Sequence, residues 1–62
     1  MYEKIVELMK VQSIEFKDLA ERLGISTKTL NRKCHGLTDW TYKEIMVLVD
    51  VLQIENPDSF FF

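Results

Sequence analysis

The residues best suited to binding chemistry lie between Gly24 and Gly36, a stretch that contains no acidic residue. Within it, the side chains of Lys28 and Arg32 can donate hydrogen bonds to guanine O6 and N7, and Asn31 can pair with adenine N6 and N7. A helix start normally favours acidic residues because its dipole is positive there, so a basic first turn departs from a local rule. This departure favours contact with a nucleic acid over the alternative, an ordinary solvated polar face.

Residues for other kinds of chemistry are few. The sequence contains one cysteine and one histidine, Cys34 and His35, whereas a zinc site needs about four ligands. It has no nucleophile–base pair, carboxylate dyad or phosphate-binding glycine loop. We interpret Cys34 as a buried core residue, since free cysteine is usually packed inside, and we place His35 near a helix C-terminus. The sequence therefore predicts neither an enzyme nor a cofactor or metal site.

The distribution of charge is more informative than the net charge of −2. Residues 16–43 contain six basic and three acidic residues, whereas residues 44–62 contain four acidic residues and no basic one. The chain thus carries one basic element on an acidic body. Its 62 residues suffice for one domain, and its single cysteine suits a reducing cytoplasm. Because no apolar run approaches the ~20 residues of a membrane span and no signal peptide is evident, we predict a cytoplasmic protein without a membrane partner.

Apolar residues at helical spacing predict the elements that position these side chains. The first helix covers about residues 2–11. The second begins at Phe16 and stops at Gly24, which suits a left-handed C-terminal position. Ser26 provides the N-cap of a third helix, which ends near residues 35 and 36. The basic stretch is therefore predicted to be helical.

The second half of the chain predicts two further helices. Thr41 and Glu44 form the T-x-x-E capping box of a fourth helix, which continues to Leu52. Asn56 and Pro57 can start a last turn before the three C-terminal phenylalanines. No segment shows the alternation of a strand, so the predicted fold is all-α with five short helices.

The connection between the second and third helices is the tightest in the chain. Only residues 24–26 separate them, and a three-residue turn that contains glycine makes two helices cross steeply, as in a helix-turn-helix. Ala20 is small where the two helices approach, and Ile25 is an apolar plug in the turn. Leu30 and Cys34 are the predicted inward stripe of the third helix.

The segment FKDLAERLGISTKTLNRKCHG resembles the helix-turn-helix of the lambda-repressor and Cro-like family. The family pattern has alanine in the second helix, glycine four residues later, an apolar residue next and an aliphatic residue five further on. Ala20, Gly24, Ile25 and Leu30 occupy those positions. The resemblance extends over most of the chain, and the P-D-x-F-F ending is similar to that of small phage-type Cro-like proteins.

The sequence departs from the family pattern at two positions. Phe16 stands where many members have a glutamine that contacts a phosphate. Lys33 stands where many members have an aliphatic core residue, so we assign the inward role to Cys34 and leave Lys33 on the surface.

The resemblance implies that the N-terminal part of the third helix enters the major groove of double-stranded DNA. Lysines and arginines around it are candidates for phosphate contacts, which orient a protein without reading sequence. The predicted DNA-binding residues are Lys17, Ser26, Thr27, Lys28, Asn31, Arg32 and Lys33, and Arg22 and Lys43 are further candidates for phosphate contacts.

We interpret the chain as a Cro-like transcriptional regulator, encoded by a phage or prophage, that binds a short operator without a cofactor. The alternative is a protein-interaction module of the same fold, such as an antirepressor, that does not bind DNA. The acidic body and Phe16 are the observations behind that alternative.

Two further expectations concern packing. Trp40 is predicted to anchor the core between the third and fourth helices. The fourth helix has a second apolar face, and the chain ends in Phe60, Phe61 and Phe62. Two interpretations of this apolar surface stay open. The tail can fold back to complete the monomer core, or it can form the seam of a homodimer.

Overall fold

A computed structural model describes residues 1–61, and these form five α-helices and no β-strand. The predicted all-α architecture is confirmed. The helices are α1 (Tyr2–Gln12), α2 (Phe16–Leu23), α3 (Thr27–Cys34), α4 (Tyr42–Leu52) and α5 (Pro57–Phe61). None of the helices in this described part is long and apolar enough to cross a membrane.

Local cap chemistry determines where the helices begin and end. Gly24 ends α2 with a φ of 72°, a left-handed conformation that costs glycine little. The Oγ of Ser26 accepts a hydrogen bond from the Thr29 N–H at 3.1 Å, as an N-cap of α3 should. Glu15, the N-cap of α2, makes no side-chain cap bond.

The core is built mainly from apolar residues of the first four helices, with Ile54 added from the segment after α4. Ile5 of α1, Leu19 of α2, Leu30 of α3, and Leu48 and Leu52 of α4 are fully buried. Cys34 is 1% exposed, so its predicted core position is confirmed. Because each of these helices buries at least one large aliphatic residue in a single cluster, the orientation of α3 is coupled to the other three helices.

The C-terminal helix α5 folds back onto the body. Phe60 and Phe61 are partly buried against the core, and their rings meet edge to face at 5.0 Å. The Phe61 ring also meets Trp40 edge to face at 6.4 Å. Trp40 is thus packed on the core but is only partly buried, a more peripheral position than the predicted anchor. Phe62, the last of the three tail phenylalanines, lies outside the described residues.

Candidate nucleic-acid interface

The turn between α2 and α3 is fixed by backbone hydrogen bonds. The Gly24 N–H donates to the Glu21 carbonyl at 3.1 Å, and the Ile25 N–H donates to the Ala20 carbonyl at 3.0 Å. Ala20 is 2% exposed, and Ile25 packs against the core cluster. The small side chain and the apolar plug therefore have the roles that the sequence predicts, and the two helices form a helix-turn-helix.

The outer face of α3 presents the predicted reading residues. Thr27, Lys28, Asn31 and Arg32 are all exposed. Their spacing places them on one side of a helix, because positions i, i+1, i+4 and i+5 share a face. Leu30, between them in sequence, is fully buried and fixes the rotation of the helix about its axis.

The positive charges of this face are not neutralised by neighbouring side chains. In the described residues the one ion pair joins Lys33 to Glu44, so Lys28 and Arg32 are paired with no carboxylate there. Lys17 and Arg22 on α2 are also exposed and outside any such pair, although Asp18 and Glu21 belong to the same helix. The basic groups can therefore approach an anion without first breaking an ion pair.

Ser26 has a structural task at this surface. Its Oγ accepts from the Thr29 backbone and donates to the Thr29 hydroxyl at 3.0 Å. These two bonds use the one donor and one of the two acceptor sites of the hydroxyl, and they fix the first turn of α3, next to Thr27 and Lys28. Lys43, the candidate on α4, is exposed.

The predicted surface position of Lys33 is wrong. Lys33 is 8% exposed, and its Nζ lies 3.0 Å from the Glu44 carboxylate. The same ammonium donates to the Asp39 carbonyl at 2.9 Å. The physical reason is the helical period, because Leu30, Lys33 and Cys34 follow the i, i+3, i+4 spacing of an inward stripe. Lys33 therefore takes no part in the outer basic face.

Glu44 joins the cap of α4 to this buried pair. Its Oε1 accepts from the Thr41 N–H at 2.8 Å, and the Thr41 Oγ1 accepts from the Glu44 N–H at 3.1 Å. The predicted capping box is confirmed, and the same Oε1 also faces Lys33. Burial raises the pKa of Glu44, but the Thr41 N–H and the ammonium of Lys33 outweigh burial and bring the pKa below its ordinary value of 4.5.

We expect this lowered pKa to make stability dependent on acid. Because the bonds from the Thr41 N–H and from Lys33 favour the charged form of Glu44 in the folded chain, the ionised carboxylate contributes stability above pH 4.5. That contribution is lost as the pH falls through the lower pKa of the folded state. The free energy of unfolding, measured by urea denaturation, should therefore decline from pH 7 to pH 3. The decline should be shallower in Glu44→Gln. An identical slope in the two proteins would mean that the ionisation of Glu44 does not contribute to the acid dependence.

Potential metal ligands are scattered in the part of the chain that the structure describes. Residues 1–61 contain no group of three or more side chains that could hold a metal ion. Burial raises the pKa of the Cys34 thiol to about 11, against a smaller opposing effect of the N-terminal ammonium. Cys34 therefore stays protonated near neutral pH. A protonated thiol is a poor nucleophile and a poor metal ligand.

One contact at the end of α3 was not predicted. The ring of Tyr2 stacks on His35, the C-terminal cap of α3, at 4.5 Å and an interplanar angle of 11°. The two residues are far apart in sequence, and no local motif connects them. The contact ties α1 to the last turn of α3.

Comparison with known proteins agrees with this geometry. The profile of the Cro/C1-type HTH DNA-binding domain matches residues 4–58. The chain therefore belongs to this family, and it is a DNA-binding regulator in that general sense. No curated protein and no solved structure matches the chain.

Proposed function

We propose that the chain is a sequence-specific regulator of the phage Cro or repressor type, which reads operator DNA with α3. The observation that carries this proposal is the outer face of α3. It presents Thr27, Lys28, Asn31 and Arg32 together, exposed and outside any ion pair of the described chain. Such donors on a helix that fits the major groove are the groups that distinguish base pairs.

The exposed residues divide into two roles in this proposal. Lys28 and Arg32 donate to guanine, and Asn31 pairs with adenine. Lys17 at the first turn of α2 contacts the phosphate backbone and fixes the register. Arg22 and Lys43 are exposed and serve as further phosphate contacts. Lys33 is not included, because its ammonium is buried against Glu44.

Selection from random duplex DNA is the direct test. The chain should enrich one short sequence, and binding to that sequence should weaken steeply as salt rises, because each neutralised phosphate releases counterions. The slope of log K against log salt is about −0.9 for each phosphate contact. A chain that enriches no sequence at low salt would contradict the proposal.

A protein-interaction module of the antirepressor type is the second candidate. The observation that favours it is the position of Phe16, which packs against the core and lies 6.5 Å from the Tyr2 ring. That position therefore lacks a polar group for a phosphate. If selection enriches no DNA while the chain is folded, this candidate takes the place of the first.

Assembly as a homodimer is part of the proposal, because helix-turn-helix proteins usually bind paired half-sites as dimers. Met46 on α4 is 54% exposed, whereas Phe60 and Phe61 are partly buried against their own core. If the tail forms the seam, deletion of residues 60–62 should yield a folded monomer with much weaker operator binding. If the tail only completes the core, the deletion should lower stability and leave the mass in solution unchanged. Sedimentation of both proteins at matched concentrations distinguishes these results.

A further inference from the structure

We propose that Lys33 is a positioning residue, which sets the direction in which α3 presents Asn31 and Arg32 to DNA. The inference rests on the proposed function, since it concerns the same reading helix. Lys33 is the one charged residue that the described chain buries, and it follows Arg32 directly in the last turns of α3.

The partners of the Lys33 ammonium all lie outside α3. It donates to the Asp39 carbonyl at 2.9 Å, in the loop between α3 and α4. It pairs with the Glu44 carboxylate at 3.0 Å, in the first turn of α4. It also lies 6.0 Å from the centre of the Trp40 ring. One side chain thus ties the last turn of α3 to the loop and to the start of the next helix.

The partners of the ammonium indicate what a charged group adds at this position. An aliphatic side chain could pack in the core but could not bond to the loop or to α4, whereas an ammonium has three N–H donors for such partners. A buried ion pair adds little net stability, because the cost of desolvation offsets the attraction. Its effect on orientation can therefore exceed its effect on stability.

Both ends of α3 are fixed by such polar contacts. Ser26 caps the first turn through the Thr29 N–H, and Lys33 holds the last turn. Asn31 and Arg32 lie two residues and one residue before Lys33, so a small rotation of the last turn displaces both from the base edges. Loss of the pair should therefore reduce the discrimination between DNA sequences while most of the protein stays folded.

The test compares the parent with Lys33→Met/Glu44→Gln. This double variant removes one positive and one negative charge, so the net charge and the long-range attraction to DNA stay the same. Glutamine can still accept from the Thr41 N–H, so the capping box is kept. Each protein is titrated at two salt concentrations with the duplex that the parent selects and with a scrambled duplex of the same length. Thermal melting reports the folded fraction.

The ratio of affinities for the selected and scrambled duplexes should fall about tenfold or more, since one bidentate base contact contributes roughly that discrimination. This fall in the ratio should be the same at both salt concentrations. Lys33→Arg should keep most of the preference for the selected duplex, because it retains the charge and the N–H donors. A folded double variant with the parent's ratio would overturn the proposal.

Two further outcomes are also decisive. If the double variant does not fold, Lys33→Met alone is titrated. The ratio of the two affinities cancels a uniform loss of charge attraction, so an unchanged ratio there overturns the proposal. If the parent itself shows no preference for any duplex, the proposed function fails first and the role of Lys33 fails with it. If the parent prefers its selected duplex and the double variant shows the same preference, only the proposed role of Lys33 fails.

Discussion

Arg32→Glu should weaken binding to the selected operator by well over the ~1–3 kcal/mol that one lost base contact costs. Arg32 is exposed on the outer face of α3 and is paired with no carboxylate in residues 1–61. The substitution therefore replaces attraction by repulsion inside the negative field of the duplex. Lys28→Glu should act in the same direction for the same reason. Titration of the operator at several salt concentrations measures both effects.

The melting temperature separates this effect from unfolding. Exposed substitutions usually change stability by no more than about 0.5 kcal/mol, so both variants should melt close to the parent. Lys10→Glu on α1 is the matched control, because it makes the same change of charge at another exposed lysine. It should lose much less affinity than the α3 variants. If all three variants bind as the parent does, α3 does not read DNA.

The helix boundaries could be predicted from the sequence because their causes are local. The glycine that ends α2, the serine that caps α3 and the capping box of α4 each depend on residues within four positions of one another. Ser26 and the pair of Thr41 and Glu44 form the bonds that their spacing indicates. The inward and outward faces of α3 could also be predicted from the helical period of its apolar residues, with Lys33 as the exception.

The burial of Lys33 could not be predicted by the same means. Its position after Leu30 fits the inward stripe, but lysine is almost never fully buried unless it is paired. Glu44 is the partner that makes the burial of Lys33 tolerable. The sequence motif indicates only its role in the capping box of α4. Its second role depends on how α4 packs beside α3, which is a tertiary contact that the sequence pattern does not contain. The available signal was the family pattern, in which many members have an aliphatic core residue at the position of Lys33. That pattern indicates an interior position.

The packing of the tail was also a question of tertiary structure. Three aromatic residues at a chain end predict burial, but they do not identify the surface that covers them. In the structure Phe60 and Phe61 pack on the core of their own chain, and Phe61 meets the ring of Trp40. This contact explains why Trp40 is partly buried: it lies under the returning tail and not in the central cluster of aliphatic side chains.

Leu48→Ala should be the most destabilising of these changes. Leu48 is fully buried in α4, and truncation of a buried leucine to alanine costs about 2–5 kcal/mol, since it loses apolar contacts and leaves a cavity. Native proteins have about 0.05–0.15 kcal/mol of stability per residue, which gives this chain only about 3–9 kcal/mol. The substitution should therefore remove much of the stability and lower the melting temperature by about ten degrees or more.

Met46→Ala is the matched control for Leu48→Ala, because it truncates another long apolar side chain of the same helix that is 54% exposed. Both substitutions have the same product, so the helix propensity of alanine favours the two variants alike. The difference between their melting temperatures then reports burial. Circular dichroism during heating measures it, and DNA binding below the transition should be kept in the control. Equal melting temperatures would show that the burial of Leu48 does not stabilise the fold.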